Sequence, residues 1–331
     1  MNDSQNIKLI HLITILFLLL VSLSQASTID PPTSYFSQYE FDFDCDLCGC
    51  STGSGSFGFG TLNNANFVGV RYINQQFESK NGVFTNSPVS KETFNTYQLW
   101  AQVPINTSFY VSVNVPYQDL NRSLNDTNEN LNGIGDASII AWYKLPFYKK
   151  VSNEEFEATE KENSGHSLQF GLGVKLPTGK FEEALVDRVN PGFQVGTGSL
   201  DAIFSLGYNY AADKFGVNTL LSYYLKGENK NEYKFGNQFS YATKFFTAFA
   251  VKKAMIMPFL GVSGDVFNKI EQYGETINDT NGAILNSSLG TEFVVNRCIF
   301  GVNYTLPVSQ NLFGGNVKSK NRLSLYFNFA L

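Results

Sequence analysis

From residue 65 to Leu331 the chain repeats one pattern, about ten residues that alternate apolar and polar, then a turn. In the final segment Leu323, Leu325, Phe327, Phe329 and Leu331 share one side, and Ser324, Tyr326, Asn328 and Ala330 the other. Successive side chains of a strand point to opposite faces, so each segment has one greasy face and one small or polar face. A soluble sheet buries its greasy face in a core. A transmembrane barrel turns it to lipid and keeps the polar face for its interior. Segment 233–249 separates the two, with Phe235, Phe239, Tyr241, Phe245 and Phe249 opposite Gly236, Gln238, Ser240, Ala242 and Lys244. Burying Gln238 and Lys244 in a sandwich core without partners is costly, whereas a wet lumen accepts them.

Connection lengths point the same way. The expected strands are 66–77, 92–104, 109–117, 136–146, 168–176, 199–210, 215–225, 232–249, 255–266, 285–295, 299–308 and 322–331. Between them the connections at Asn106-Thr107, Ala211–Asp213, Ala250–Ala254 and Asn296-Arg297 are tight, and 118–135, 177–198, 267–284 and 309–321 are long. Outer-membrane barrels have short periplasmic turns and longer outer loops, and an even strand number leaves both termini on the periplasmic side. The expected fold is all-β, a transmembrane antiparallel up-and-down β-barrel of about 12 strands. One connection breaks the scheme: 147–167, with Lys149, Glu154, Glu157 and Lys161, is long and charged where a short inner turn belongs. Composition agrees with the barrel. Aromatic residues make up 15% of the chain and charged residues only 16%, against about 25% charged in ordinary soluble domains.

The N-terminus reads as a secretory signal over 1–26: Lys8, an apolar stretch from Leu9 to Leu23, and the small-x-small site Ser24-Gln25-Ala26. The expected organisation continues with a periplasmic segment over 27–64 and the barrel over 65–331, which makes this an exported protein of a bacterial outer membrane. A net charge of -5 with scattered basic residues gives no footprint for nucleic acid. Gly171 to Lys180 superficially matches a phosphate-binding loop, but Phe181 stands where Ser or Thr would bind magnesium, so no nucleotide cofactor is expected. The chain has 2 histidines, His11 in the signal and His166 beside a strand end. Catalysis is not expected from that set.

Cys45, Cys48 and Cys50 form the sharpest local motif, followed by a flexible Ser51–Ser56 run. With Cys298, placed next to the tight turn at Asn296-Arg297, the four thiols have two readings. They form disulfides that tie the N-terminal segment to the barrel in an oxidising periplasm, or they bind a soft metal. The first is favoured, since histidine support is absent.

Gly133-Ile134-Gly135-Asp136 leads into a strand ending Trp142-Tyr143-Lys144-Leu145; Gly171-Leu172-Gly173-Val174-Lys175-Leu176-Pro177-Thr178-Gly179-Lys180 and Gly196-Thr197-Gly198-Ser199-Leu200-Asp201 follow. This order of motifs resembles the outer-membrane proteins associated with the meta-pathway of phenol degradation. The resemblance covers most of 65–331 and implies a β-barrel that admits small, often aromatic, compounds. It brings no catalytic residues with it. The C-terminus departs mildly, since signals read by the barrel-assembly machinery commonly end in an aromatic and this chain ends Phe329-Ala330-Leu331.

The expected function is an outer-membrane channel for diffusion of small molecules, apolar or aromatic ones among them, with lipid, solute and assembly machinery as partners. The oligomeric state is left open. Alternation places Arg71, Gln98, Gln102, Asn114, Lys175, Gln238 and Lys244 toward the lumen as candidates for tuning passage. A structural or metal-handling barrel is the alternative, and a narrow lumen plugged by its own side chains or by 27–60 is a further possibility within either.

Overall fold

The computed structural model describes residues 66–80, 88–124, 127–147, 165–185, 190–212, 215–251 and 254–331. These close into a ring of twelve antiparallel strands: β1 (Phe67–Lys80), β2 (Val89–Pro104), β3 (Phe109–Leu124), β4 (Ser138–Pro146), β5 (Gly165–Lys175), β6 (Asp201–Ala212), β7 (Phe215–Leu225), β8 (Gln238–Thr247), β9 (Ala254–Phe267), β10 (Gly282–Val295), β11 (Cys298–Leu312) and β12 (Val317–Ala330). Each strand pairs with its sequence neighbours, and β1 pairs with β12 from Phe67↔Ala330 to Ser79↔Val317. The fold is therefore a closed up-and-down transmembrane barrel with no free edge. Closure is what lipid demands, because an unpaired backbone N–H or C=O in hydrocarbon costs several kcal/mol.

Alternation holds along every strand. On β1 and β2, Val68, Val70, Leu99 and Val103 are exposed on the outer wall, while Ile73, Gln75, Thr96, Gln98 and Gln102 are buried on the inner one. Aromatic residues mark the two boundaries of the outer wall, as lipid-facing barrels require. At the short-turn end lie Phe109 against Tyr143 and His166 against Tyr210. Toward the other end Tyr72, Tyr97 and Tyr117 sit side by side in register on β1, β2 and β3.

Short turns gather at the end where the described chain begins and finishes. There the Leu331 N–H donates to the Asn66 carbonyl (3.2 Å) and the Asn66 amide to the Leu331 carbonyl (3.1 Å). The turn after β2 is closed by the Asn106 side chain, which accepts from the N–H groups of Ser108 (2.9 Å) and Phe109 (2.8 Å). Asn296, at φ 53°, makes the turn before β11.

The opposite end departs from the expected loops in two places. Segments 118–135 and 309–321 are mostly strand: β3 runs on to Leu124 and pairs with Thr127–Ile134, and β11 and β12 are joined only by a 3-10 turn at Phe313–Gly315. Their polar residues suggested loops because they stand clear of the membrane, where a strand needs no greasy face. The wall is thus uneven. β1–β3 and β9–β12 have 14–16 residues, against 9–12 in β4–β8, where about 9–11 suffice to cross. The expected strand 232–249 is also cut. Tyr233–Lys234 belongs to a small sheet with Glu271–Gln272 and Glu275–Thr276, and Phe235 is buried rather than lipid-facing. In the long connection 147–167, Gly165 to Ser167 belong to β5, and 148–164 lie outside the described residues, as do 1–26 and 27–64.

The alternation makes a direct stability prediction. Leu99→Arg, on the lipid face at mid-strand, lowers bilayer stability by about 2–4 kcal/mol, while Thr93→Arg, two rows above Tyr97 on the same strand, costs about 0–1 kcal/mol. Urea titration of the protein folded into vesicles measures both.

Candidate functional site: the barrel interior

Of the lumen candidates, Arg71 lies on the inner wall of β1, Gln98 and Gln102 on β2, Asn114 on β3, Lys175 at the end of β5, and Gln238 and Lys244 on β8. They do not form one cluster: Arg71 stands in register with Gln98, whereas Gln102 lies beside Phe67 and Lys244 beside Gly261. Gln238 and Lys244 face inward and are buried, at 0% and 7% exposure. Both have partners there. The Gln238 amide donates to Asp265 Oδ1 (3.1 Å), which also accepts from Ser240 Oγ (2.6 Å). Lys244 Nζ pairs with Glu292 and lies 4.3 Å from the centre of the Phe259 ring.

Toward the short-turn end the interior is lined by charge and aromatic rings in alternation. Glu292 accepts a second bond from the Tyr326 hydroxyl (2.6 Å); the Tyr326 ring stands edge-on to Trp100; and the Arg71 guanidinium lies 4.1 Å from the Trp100 ring centre. On the neighbouring strands β3 and β4 Tyr110 stacks on Trp142 at 5.8 Å. Their polar tips are satisfied, Tyr110 donating to Gln169 Oε1 (2.8 Å) and Trp142 to Ser112 Oγ (2.9 Å). These rings lie flat along the wall because their cross-strand neighbours are glycines: a Cβ on Gly171 would meet the Trp142 ring at 2.9 Å, and one on Gly301 would meet the Tyr326 ring.

At the long-loop end the three sequence motifs converge. The Asp136 carboxylate accepts from Lys175 Nζ (2.9 Å), the Gly179 N–H (2.9 Å), the Thr197 N–H (2.9 Å) and the Thr197 hydroxyl (2.7 Å). Asp201 takes Lys175 (3.0 Å) and Lys226 (3.4 Å) on one oxygen, and Ser199 Oγ (2.8 Å) and the Gly227 N–H (3.0 Å) on the other. Lys175 therefore bridges two carboxylates, all nearly out of water. Gly179 and Gly196 touch backbone to backbone, so a side chain on either would force the two limbs of segment 176–200 apart. The network pins that segment onto the lower part of the rim.

Above it apolar residues join the polar ones on the inner face. Phe77, Phe94, Leu120, Ile284, Leu312 and Val317 from the tall strands meet Phe193, Val195, Tyr233, Phe235 and Ile270 from the loops in one buried cluster that covers the mouth. Arg122 lies 4.8 Å from the Phe193 ring centre and pairs with Glu129 at 2.8 Å. On the rim, Glu182 accepts from Lys230 (2.6 Å) and Asn231 (2.9 Å), which hold its carboxyl below the usual range. Because its folded pKa is depressed, this tie between the 176–200 and 226–237 loops is present above the ordinary carboxylate range and is lost as pH falls through the lowered value.

Cys45, Cys48 and Cys50 lie outside the described residues. Cys298 opens β11 beside Val295 and Phe329 and is free among the described residues. No group of three or more His, Cys, Asp or Glu suited to a metal occurs among the described residues. His166 is the second residue of β5, on the outer wall, with its Nδ1 2.7 Å from the Tyr208 hydroxyl. The partners that sequence reading missed are Asp136, Thr197, Asp201, Lys226, Asp265 and Glu292. Two of the acids end family motifs, and that placement was a usable signal.

Fold and lining together define a transmembrane β-barrel whose interior is crossed by paired charges and aromatic rings. The family model described as "Putative MetA-pathway of phenol degradation" matches residues 73–306, and the chain belongs to that family. Among solved structures it is similar to an outer membrane channel from Pseudomonas putida F1, at 13% identity and TM-score 0.57, covering 82% of this chain and 97% of that one. It is also similar to the beta domain of the Bordetella autotransporter BrkA, at 9% identity and TM-score 0.45, covering 81% and 100%. No curated protein matches the sequence.

Two mutational outcomes follow from the pairing. Lys244→Met leaves Glu292 uncompensated and lowers stability by about 3–5 kcal/mol, and the double variant with Glu292→Gln recovers most of it. Asp136→Ala frees segment 176–200, and limited proteolysis cuts there at least ten times faster than in the parent, a factor that corresponds to about 1.4 kcal/mol in local opening.

Proposed function

We propose that this protein is an outer-membrane channel through which small molecules, apolar or aromatic ones among them, pass by diffusion, and that it is exported with a signal cleaved after Ala26 or Ser27. The observation that carries this reading is the succession of linings. An apolar cluster lies at the mouth, a cluster of paired charges beneath it, and an interior of polar groups and flat aromatic rings below that. A greasy solute gains by leaving water for the first layer. Below it stand ring faces and amides, with Lys175 and Lys244 held by carboxylates. The resemblance to the Pseudomonas channel agrees with this reading, as does the family's association with phenol degradation. The state described has its mouth covered, so passage requires the Phe77–Phe94–Phe193 contacts to part.

Planar-bilayer recording of the refolded protein tests the reading. Discrete openings are expected, reduced by a phenolic solute, and Phe193→Ala is expected to raise the open fraction by removing the ring that Phe94 and Arg122 hold. A folded barrel that inserts yet never conducts, with or without Phe193→Ala, would falsify the channel.

A further inference from the structure

The outer wall carries an amphipathic surface that the channel reading leaves unused. On β11, β12, β1, β2 and β3 the lipid-facing side chains leave a groove of about 760 Å³. Small Val70 and Val302 lie in it beside the larger Leu99, Tyr97, Phe300 and Phe327. The row Tyr72, Tyr97, Tyr117 borders its upper part, at the depth where aromatic residues mark the membrane surface.

Directly above that row β1, β2 and β3, now joined by Thr127–Ile134, turn polar on their outer face. Asn74, Asn95, Asp119 and Asn132 stand in register as one row, and Gln76, Thr93, Asn121 and Asn130 as the next. They are tied to one another: Asn74 donates to Asn95 (2.8 Å), Asn95 to Asp119 (3.2 Å), and Asn130 to both Asp119 (2.7 Å) and Asn121 (2.8 Å). The tyrosines join in, with the Tyr72 hydroxyl on Asn95 (2.9 Å) and that of Tyr117 on Asn132 (3.2 Å). A primary amide has two N–H donors and two acceptor lone pairs. Each therefore spends part of its capacity in fixing its rotamer and presents the rest outward. One row higher the chemistry becomes cationic: Lys318 and Lys91 flank Glu78 in register, and Lys320 lies 2.7 Å from that carboxylate.

We propose that this wall binds a phosphorylated glycolipid of the surrounding leaflet, with acyl chains in the groove, sugars on the amide rows and phosphates toward the lysines. The inference rests on the outer-membrane reading above. Three observations choose this occupant over a common phospholipid. The polar surface begins where the groove ends, so one amphiphile covers both. Its three rows are spaced by about 7 Å and reach farther than a single phosphodiester headgroup. Neutral amides followed by an excess of lysine match sugars followed by phosphate.

The test is native mass spectrometry of the intact protein in mild detergent, titrated separately with rough-type lipopolysaccharide and with phosphatidylethanolamine. The parent is expected to retain the glycolipid preferentially. Asn95→Ala combined with Asn130→Ala, and separately Val70→Trp, which fills the groove, should each weaken it about tenfold or more, leaving phosphatidylethanolamine unchanged. Resistance to sodium dodecyl sulfate before heating checks that both variants are folded. Equal binding of the two lipids, or undiminished glycolipid binding in folded variants, overturns the inference. Membrane fractionation keeps it separate from its premise: a protein found elsewhere than the outer membrane sinks the location as well, whereas an outer-membrane protein without lipid preference sinks this inference alone.

Discussion

Every other feature of this barrel depends on the closure of its backbone hydrogen-bond ladder by β1 and β12. Hydrocarbon offers no substitute partner for a peptide group, so a sheet that crosses lipid must have no edge. The Phe67↔Ala330 to Ser79↔Val317 register meets that condition. It also sets the phase of the wall. Since side-chain facing has period two, one residue of slip by β12 against β1 would turn Leu325 inward and Ser324 and Tyr326 to lipid. Closure and amphipathicity are thus one constraint.

The interior solves a second problem. Inward polar groups cannot be dispersed in a narrow barrel with little accessible surface, because a buried charge without a partner costs several kcal/mol. Three inner lysines are placed beside carboxylates: Lys244 beside Glu292, Lys175 between Asp136 and Asp201, and Lys226 beside Asp201. The aromatic rings occupy the remaining width by lying over glycines of the adjoining strand. An interior built this way offers a passing molecule ring faces, hydroxyls and amides, with the strongest fields already neutralised.

The uneven height of the wall links that interior to the mouth. The tall strands carry apolar inward residues at the mouth, and Leu185, Phe193 and Val195 of the connection after β5 pack against them. The motifs that resemble the family all meet at this seam, where Asp136 receives groups from both of the others. Their glycines serve the same seam, since Gly179 and Gly196 approach closely enough to exclude any side chain. The family signature in this chain is therefore a fastening for the mouth, and its chemistry is structural before it is selective.

The twelve strands, their pairing order and the ends at which turns are short were all legible in the sequence, because a lipid-facing strand writes its facing into every second residue. Legibility failed where the membrane stops. Residues 118–135 and 309–321 read as loops because strands in water need no alternation, and Phe235 read as lipid-facing because a break in the strand is invisible to a count of two. The inward residues were legible as inward but their partners were not. Lys244 meets Glu292 across two strands, and Lys175 meets Asp136 and Asp201 from 39 and 26 residues away, and nothing local encodes such meetings. By itself the sequence determined that this chain must close into a barrel and which side of each strand faces lipid, since both follow from local periodicity. Only the tertiary structure decided that the interior charges are paired and the mouth is covered, because those depend on curvature bringing distant strands around a common axis.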